Sequence, residues 1–209
     1  MSQETVTISG ERTIEATLDT PETETDAVAV VAPPHPVKRG DRDDPRLKAI
    51  RDYLLDHDVA VLRFDYAEWT EGEGEIADTY AALSWAAERY DQVGLTGYSF
   101  GATVAALAAA DVDEDSAVGQ RLVAVSLLAV DVRIGDQDEF DAADALEDID
   151  VPVRVVYASE DDRVRWEPVV ERARELNLEE NNVDTGHFFV GSLEIAGRKA
   201  GEFLVEHAE

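Results

Sequence analysis

Val93-Gly94-Leu95-Thr96-Gly97-Tyr98-Ser99-Phe100-Gly101-Ala102 is the stretch whose reading decides the fold. An apolar run ends in Gly-Tyr-Ser-Phe-Gly, and an alanine-rich run as far as Ala110 follows at once. This order predicts a buried strand, a tight turn holding a serine between two glycines, and a helix. In that context G-x-S-x-G reads as a nucleophile elbow, a strained turn that lifts the serine hydroxyl clear of the sheet. The glycines have a steric reason, because side chains at 97 and 101 would collide where strand and helix backbones meet. The turn also sets Ser99 at the start of a helix, where backbone N–H groups lack partners. Without such flanks the pentapeptide would be an ordinary turn.

Working outward, strands and helices alternate. Thr5–Ser9 and Thr13–Leu18 alternate polar and apolar residues and predict a half-exposed antiparallel hairpin. Ala27–Ala32 is apolar throughout, hence a buried strand, and stops at Pro33-Pro34-His35-Pro36. Asp44 caps a helix that Pro45 opens, with Leu47, Ile50, Leu54 and Leu55 on its inner face. Val59–Asp65 is the next strand, Glu71–Glu75 a loop, and Ile76–Arg89 a helix burying Ile76, Tyr80, Leu83 and Ala87. After the elbow come a strand at Leu122–Leu128, a short acidic helix at most over Asp138–Glu147, and a strand from Val153 opened by Pro152. Glu167–Leu176 reads as helix, Asn182–Asp184 as a brief strand, and a last helix capped by Ser192 runs towards Glu206. Such alternation means crossover connections. The expectation is a single α/β domain over residues 1–209, a mostly parallel sheet with helices on both faces. The link between Leu128 and Val153 is too short for a sizeable cap domain.

Composition narrows the function classes. The chain carries 47 acidic and 18 basic residues, a formal charge of −29, and only three lysines, Lys38, Lys48 and Lys199. The acids are spread along every segment rather than gathered in a tail. That pattern suits a surface working in molar salt, where the screening length falls to roughly 3 Å. The expectation is a cytoplasmic protein of an extreme halophile, monomeric or homodimeric. Nucleic acid is excluded as a partner because no basic patch is visible. No apolar run approaches a membrane span, and Met1-Ser2-Gln3-Glu4 does not begin a signal region. Without cysteine there is neither a disulfide nor a thiolate metal site. Asp111–Asp115 lacks the glycine and final glutamate of a calcium loop and reads as a solvated connection, so no metal and no cofactor is expected.

An elbow serine needs a base, and the base needs an orienting acid, in chain order Ser, Asp or Glu, His. Reactive groups gather beyond the carboxyl ends of parallel strands. The strand from Val153 ends in Ala158-Ser159-Glu160-Asp161-Asp162, so three acids compete. Of four histidines, His187 follows a strand end late in the chain, and His35 follows one early. His57 reads as a solvated cation closing a helix and His207 as part of a fraying tail. The triad order favours His187 as base, with His35 the rival. A tetrahedral oxyanion also needs two donors. One is the backbone N–H of Phe100; the other must come from the loop after Ala32, where His35 alone among residues 33–36 has an N–H.

At this point the motifs form a set. Pro33-Pro34-His35-Pro36, Leu62-Arg63-Phe64-Asp65-Tyr66, Gly97-Tyr98-Ser99-Phe100-Gly101 and Gly186-His187-Phe188-Phe189 follow one another in order. In this the chain resembles the alpha/beta hydrolases, and more narrowly the small hydrolases near the dienelactone-hydrolase branch. These carry His-Pro-His-Pro, Leu-Arg-Phe-Asn-Phe, Gly-Phe-Ser-Phe-Gly, a Gly-x-x-Asp turn and a late His-Phe-Phe. The resemblance implies an alpha/beta-hydrolase fold and selects Asp161 as acid, with Ala158 at the glycine position; a shift of one would select Asp162. It implies a serine hydrolase acting on a small-molecule ester, thioester or lactone. An inactive binding protein of the same fold, or a peptidase or acyltransferase with the same triad, is the alternative. Tyr66, Trp69, Tyr98 and Phe188 flank the motifs and are expected to line the substrate site. Where relatives continue Arg-Gly-x-Gly-x-Ser, this chain has Ala67-Glu68-Trp69-Thr70-Glu71-Gly72, which reads either as an overhang on the site or as a salt-adapted surface loop.

Overall fold

The computed structural model describes residues 1–134 and 140–208. Its strands are β1 (Ser2–Ser9), β2 (Thr13–Thr20), β3 (Ala27–Ala32), β4 (Ala60–Phe64), β5 (Gln92–Tyr98), β6 (Leu122–Leu128), β7 (Val153–Ala158) and β8 (Glu179–Val183). The helices are α1 (Pro45–Leu55), α2 (Glu73–Ala87), α3 (Phe100–Ala110), α4 (Ala142–Ala145), α5 (Glu167–Glu175) and α6 (Leu193–His207). All eight strands form one sheet in the order β1-β2-β4-β3-β5-β6-β7-β8. β1, β2 and β4 pair antiparallel, and from β4 to β8 every neighbouring pair is parallel.

The alternation of side chains explains why the central strands are apolar on both faces. In β3, Val28, Val30 and Ala32 pack towards α2 and α3, while Ala27, Ala29 and Val31 pack towards α1 and α6. The first layer also takes Val169, Val170 and Ala173 of α5; the second is closed by Leu47, Ile50 and Leu54 of α1 against Ala196, Ala200 and Phe203 of α6. Switching from the parallel to the antiparallel edge leaves one charge inside. Arg63 of β4, 1% exposed, donates to Asp19 of β2 through Nε and Nη2, at 3.0 and 2.8 Å. A buried guanidinium is tolerable only when paired in this way.

Three expectations need correction, and a fourth is met in part. α2 begins at Glu73, three residues before the expected start, because Glu75 accepts the Gly72 N–H at 2.8 Å and draws the acidic stretch into the first helical turn. Its buried face also differs from the expected one. Glu75, Asp78, Thr79, Ala82, Leu83, Ala86 and Ala87 are inside, whereas Ile76 and Tyr80 are only half-buried. β8 starts at Glu179 and ends at Val183; its polar sequence hides a strand whose ladder with β7 supplies the order that its side chains do not. His207 is the last residue of α6 rather than a frayed tail, its Nδ1 lying 2.8 Å from the Phe203 carbonyl oxygen. Of the acidic helix expected over 138–147, residues 138 and 139 lie outside the described residues, and α4 covers only Ala142–Ala145.

Candidate active site

The elbow is built as its glycines require. A Cβ at Gly97 would stand 2.3 Å from the Gly101 carbonyl oxygen, and one at Gly101 would stand 2.3 Å from that of Ala32. Strand β5, helix α3 and the end of β3 therefore approach more closely than any side chain permits. Ser99 turns the corner with φ 57° and ψ −123°, a strained conformation for a residue with a side chain. Its N–H donates to the Leu128 carbonyl at 2.8 Å, anchoring the turn to the end of β6.

His187 follows β8 and reaches over the elbow. Its Nε2 lies 3.0 Å from Ser99 Oγ, and its Nδ1 lies 2.7 Å from Asp161 Oδ2. Facing a carboxylate, Nδ1 carries the proton and donates, which leaves Nε2 to accept the Ser99 hydroxyl. The three candidates from three separate loops are thus joined in one chain of hydrogen bonds. The geometry also separates the competing acids. The Asp161 side chain is 1% exposed and aimed at His187, whereas that of Asp162 is 89% exposed and faces Arg163. Asp161 is held from its other oxygen by the Arg163 backbone N–H at 2.8 Å, a turn that forms with Ala158 where relatives have glycine.

His35 takes a different place. Its ring lies between Trp69 and Phe100, with centroids 4.6 and 4.8 Å away, and its buried Nδ1 has no hydrogen-bond partner among the described residues. Burial pushes its pKa below the ordinary histidine value, aided by the nearby Lys38 charge. The backbone of His35 is clamped: its carbonyl accepts from the N–H groups of Lys38 and Gly40, each at 3.0 Å. Gly40 is needed here, since a Cβ would stand 2.3 Å from the Pro34 carbonyl oxygen. The N–H groups of His35 and Phe100 have no partner among the described residues. Both belong to segments that meet at the Ser99 turn.

The cleft over Ser99 measures about 690 Å³, and its wall includes His35, Trp69, Phe100, Thr103, His187 and Phe188. Trp69 and Phe188 both stand on this wall. Tyr98 and Tyr66 are not part of the wall. Tyr98 precedes Ser99 in an extended strand, so its ring points to the opposite face, where its hydroxyl donates to the His187 carbonyl at 3.0 Å and Arg46 covers its ring at 4.6 Å. It supports the histidine loop from beneath. Tyr66 stands edge-on beneath Phe100, with centroids 5.8 Å apart, and buttresses the wall from behind. A second hollow of about 510 Å³, bordered by Arg12, Ile76, Tyr80 and Ala81, contains neither serine nor histidine.

The loop 67–72 overhangs the cleft through Trp69, and buried acids hold it there. Glu75, 0% exposed, accepts from the N–H groups of Thr70 and Gly72 at 3.1 and 2.8 Å. Asp78 accepts from Ala67 N–H at 2.9 Å and pairs with Arg12 Nε at 3.1 Å. Burial pushes the Asp78 carboxyl above its usual range, against the opposing pull of those two donors. Arg12 continues to the Thr70 hydroxyl at 3.0 Å and to the Glu68 carbonyl. These positioning residues escape sequence reading because acids in an acidic chain look like surface; the Glu75 capping position, three residues after Gly72, was the available signal.

No protein-family model matches the sequence, and no curated protein matches it significantly. Solved structures do resemble it. A serine hydrolase without a lid from Xanthomonas campestris superposes with a TM-score of 0.76 at 24% identity, covering 98% of this chain and 94% of the other. An alpha-beta serine hydrolase homologue from Coxiella burnetii gives 0.77 at 23% identity, covering 100% and 99%. An esterase from Pyrococcus furiosus gives 0.79 at 18%, covering 100% and 94%. At these identities the likeness establishes the fold: this chain has the alpha/beta-hydrolase fold.

Proposed function

We propose that the chain is a serine hydrolase that cleaves a carboxylic ester or thioester through an acyl-enzyme on Ser99. The observation that carries the reading is the pair of distances joining Ser99 Oγ to His187 at 3.0 Å and His187 to Asp161 at 2.7 Å, on a serine held at φ 57°. In the reaction, Ser99 Oγ attacks the carbonyl carbon and its proton passes to His187 Nε2. Asp161 stabilises the imidazolium from Nδ1. The carbonyl electrons move onto oxygen, where the N–H groups of Phe100 and His35 would receive them. Collapse expels the leaving group, which takes the proton from His187, and water repeats the sequence to release the acid and restore Ser99. The structural neighbours, a serine hydrolase and an esterase, point the same way. The motifs resemble those of the dienelactone-hydrolase branch, so a lactone belongs among the substrates to try.

A fluorophosphonate probe tests this directly. The wild type should label, Ser99→Ala should not, His187→Ala and Asp161→Asn should label far more slowly, and Asp162→Asn should match the wild type. Absence of wild-type labelling would favour a binding scaffold; labelling that survives Ser99→Ala would remove the elbow from the mechanism. A peptidase or acyltransferase would label alike and be separated by peptide substrates or by an added alcohol acceptor. The reading of a −29 surface as adapted to molar salt is tested by thermal unfolding. The melting temperature should rise steeply with potassium chloride, and a flat series would overturn it.

A further inference from the structure

The cleft reverses the charge of the molecule. Across the whole chain acids outnumber bases 47 to 18. Among the described residues, the basic ones on the cleft wall are Lys38, Arg133, Arg163 and Arg165, and the acidic ones are Glu71 and Asp131. Four cations against two anions is the opposite of what drawing residues from this composition would place there. They also come from three loops, after β3, β6 and β7, so no single charged run accounts for them.

Two of the four are engaged within the wall. Arg133 donates to Asp141 at 2.8 Å, and Arg165 pairs with Asp131 at 3.2 Å, tying the loop after β7 to the loop after β6. The other two are exposed. Of the three lysines, Lys48 pairs with Asp43 and Lys199 bonds Asn181, while the Lys38 ammonium has no ion pair or hydrogen bond among the described residues. The Arg163 side chain is 63% exposed and its contact with Asp162 is 3.4 Å, to a carboxylate 89% exposed. Such a surface pair is weak and exchanges readily for a better anion. Arg163 also lies 5.8 Å from the ring of Phe188 on the same wall. One cation therefore stands on the His35 loop and the other beside Phe188 of the His187 loop, both on the wall of the cleft that Ser99 lines.

We infer that the cleft selects substrates bearing an anionic group, a carboxylate or a phosphate, close to the scissile carbonyl, with Lys38 and Arg163 as its recognition residues. This rests on the serine-hydrolase reading of the same site. The overall charge does not oppose it. At molar salt the field of distant acids is screened beyond roughly 3 Å, so only cations that touch the substrate discriminate. Arg163 suits a planar carboxylate or phosphate through its guanidinium fork, and Lys38 contributes a point charge.

The experiment compares matched esters at fixed molar potassium chloride. Mono-4-nitrophenyl glutarate, with a free carboxylate on the acyl side, is set against its methyl-capped counterpart; acetyl-coenzyme A, with phosphates on the leaving group, is set against acetyl-pantetheine. The expected result is a kcat/KM about tenfold higher for the anionic member of at least one pair, carried by KM, and the pair that shows it identifies the source of the charge. Lys38→Glu and Arg163→Glu should each lower that anionic-to-neutral ratio severalfold. A purely structural defect would lower both members and leave the ratio unchanged. The Arg163 variant keeps the backbone N–H that holds Asp161, so its folding is not at stake through that contact. Equal turnover of both members in both pairs, or a ratio indifferent to both charge reversals, would overturn the inference while leaving the hydrolase reading intact. If no ester turns over at all, the hydrolase reading fails first, and calorimetric binding of the glutarate pair to Ser99→Ala decides the anion preference alone. Tighter binding of the anionic member supports it, and equal binding overturns it.

Discussion

The loops after β3 and β8 each bring one histidine to the same cleft, and they use it in opposite ways. His187 is held through its ring: both nitrogens are engaged, by Ser99 Oγ and Asp161 Oδ2. His35 is held through its backbone, with Lys38 and Gly40 donating to its carbonyl while its ring packs between Trp69 and Phe100 and its Nδ1 is orphaned. The same residue type, a few residues past a strand end in each case, is held in one by its ring nitrogens and in the other by its backbone beside the Ser99 turn. What separates them is the partner at Nδ1. A carboxylate there fixes the tautomer of His187; burial without such a partner disfavours the charged ring of His35.

The sharpest way to break this comparison is to remove each ring. His187→Ala should cut ester kcat by about 10⁴-fold or more, the scale for losing a general base in such a triad. His35→Ala keeps the backbone N–H and should cost far less, about tenfold or below. Comparable losses would show that His35 acts through its ring. A smaller but still large effect is expected on the backbone side. Gly40→Ala puts a methyl group where the Pro34 carbonyl stands, so the His35 peptide must shift. Losing one aligned oxyanion donor typically costs about 10²-fold in kcat, so a variant with wild-type turnover would detach this loop from the chemistry.

The smallest effect is on stability. His35 has a folded pKa below its unfolded value of 6.5. The unfolded chain therefore binds a proton that the folded one refuses, and stability, full above about pH 6.5, declines as pH falls below it. His35→Gln should flatten the melting temperature between pH 7 and pH 5 relative to the wild type, and parallel slopes would contradict the assigned burial.

Much of the site was legible because it follows from strand ends. Ser99 and Asp161 follow apolar strands and His187 follows the short polar strand β8, and parallel topology brings such strand ends together. Asp161 and Asp162 could not be separated from the residues alone, since neighbours in a turn differ in direction rather than in type. Tyr98 and Tyr66 were misplaced for the same reason. An aromatic next to a motif reads as wall, but alternation along β5 sends the Tyr98 ring behind the sheet. Glu75 and Asp78 were hidden by composition: among 47 acids, any two look like solvated surface, yet these two are buried and hold the loop that carries Trp69.

By itself, then, the order of residues determined the elements that need only local information. These are apolar runs of strand length, prolines that end them, glycines where backbones touch, and a serine, an acid and a histidine in the order that an elbow demands. Only the tertiary structure decided which acid faces the histidine, which histidine presents its ring, and which charges lie inside. Those choices depend on the direction of a side chain relative to segments far away in sequence. That direction is set by how strands pair and layers pack, not by the residues on either side of it.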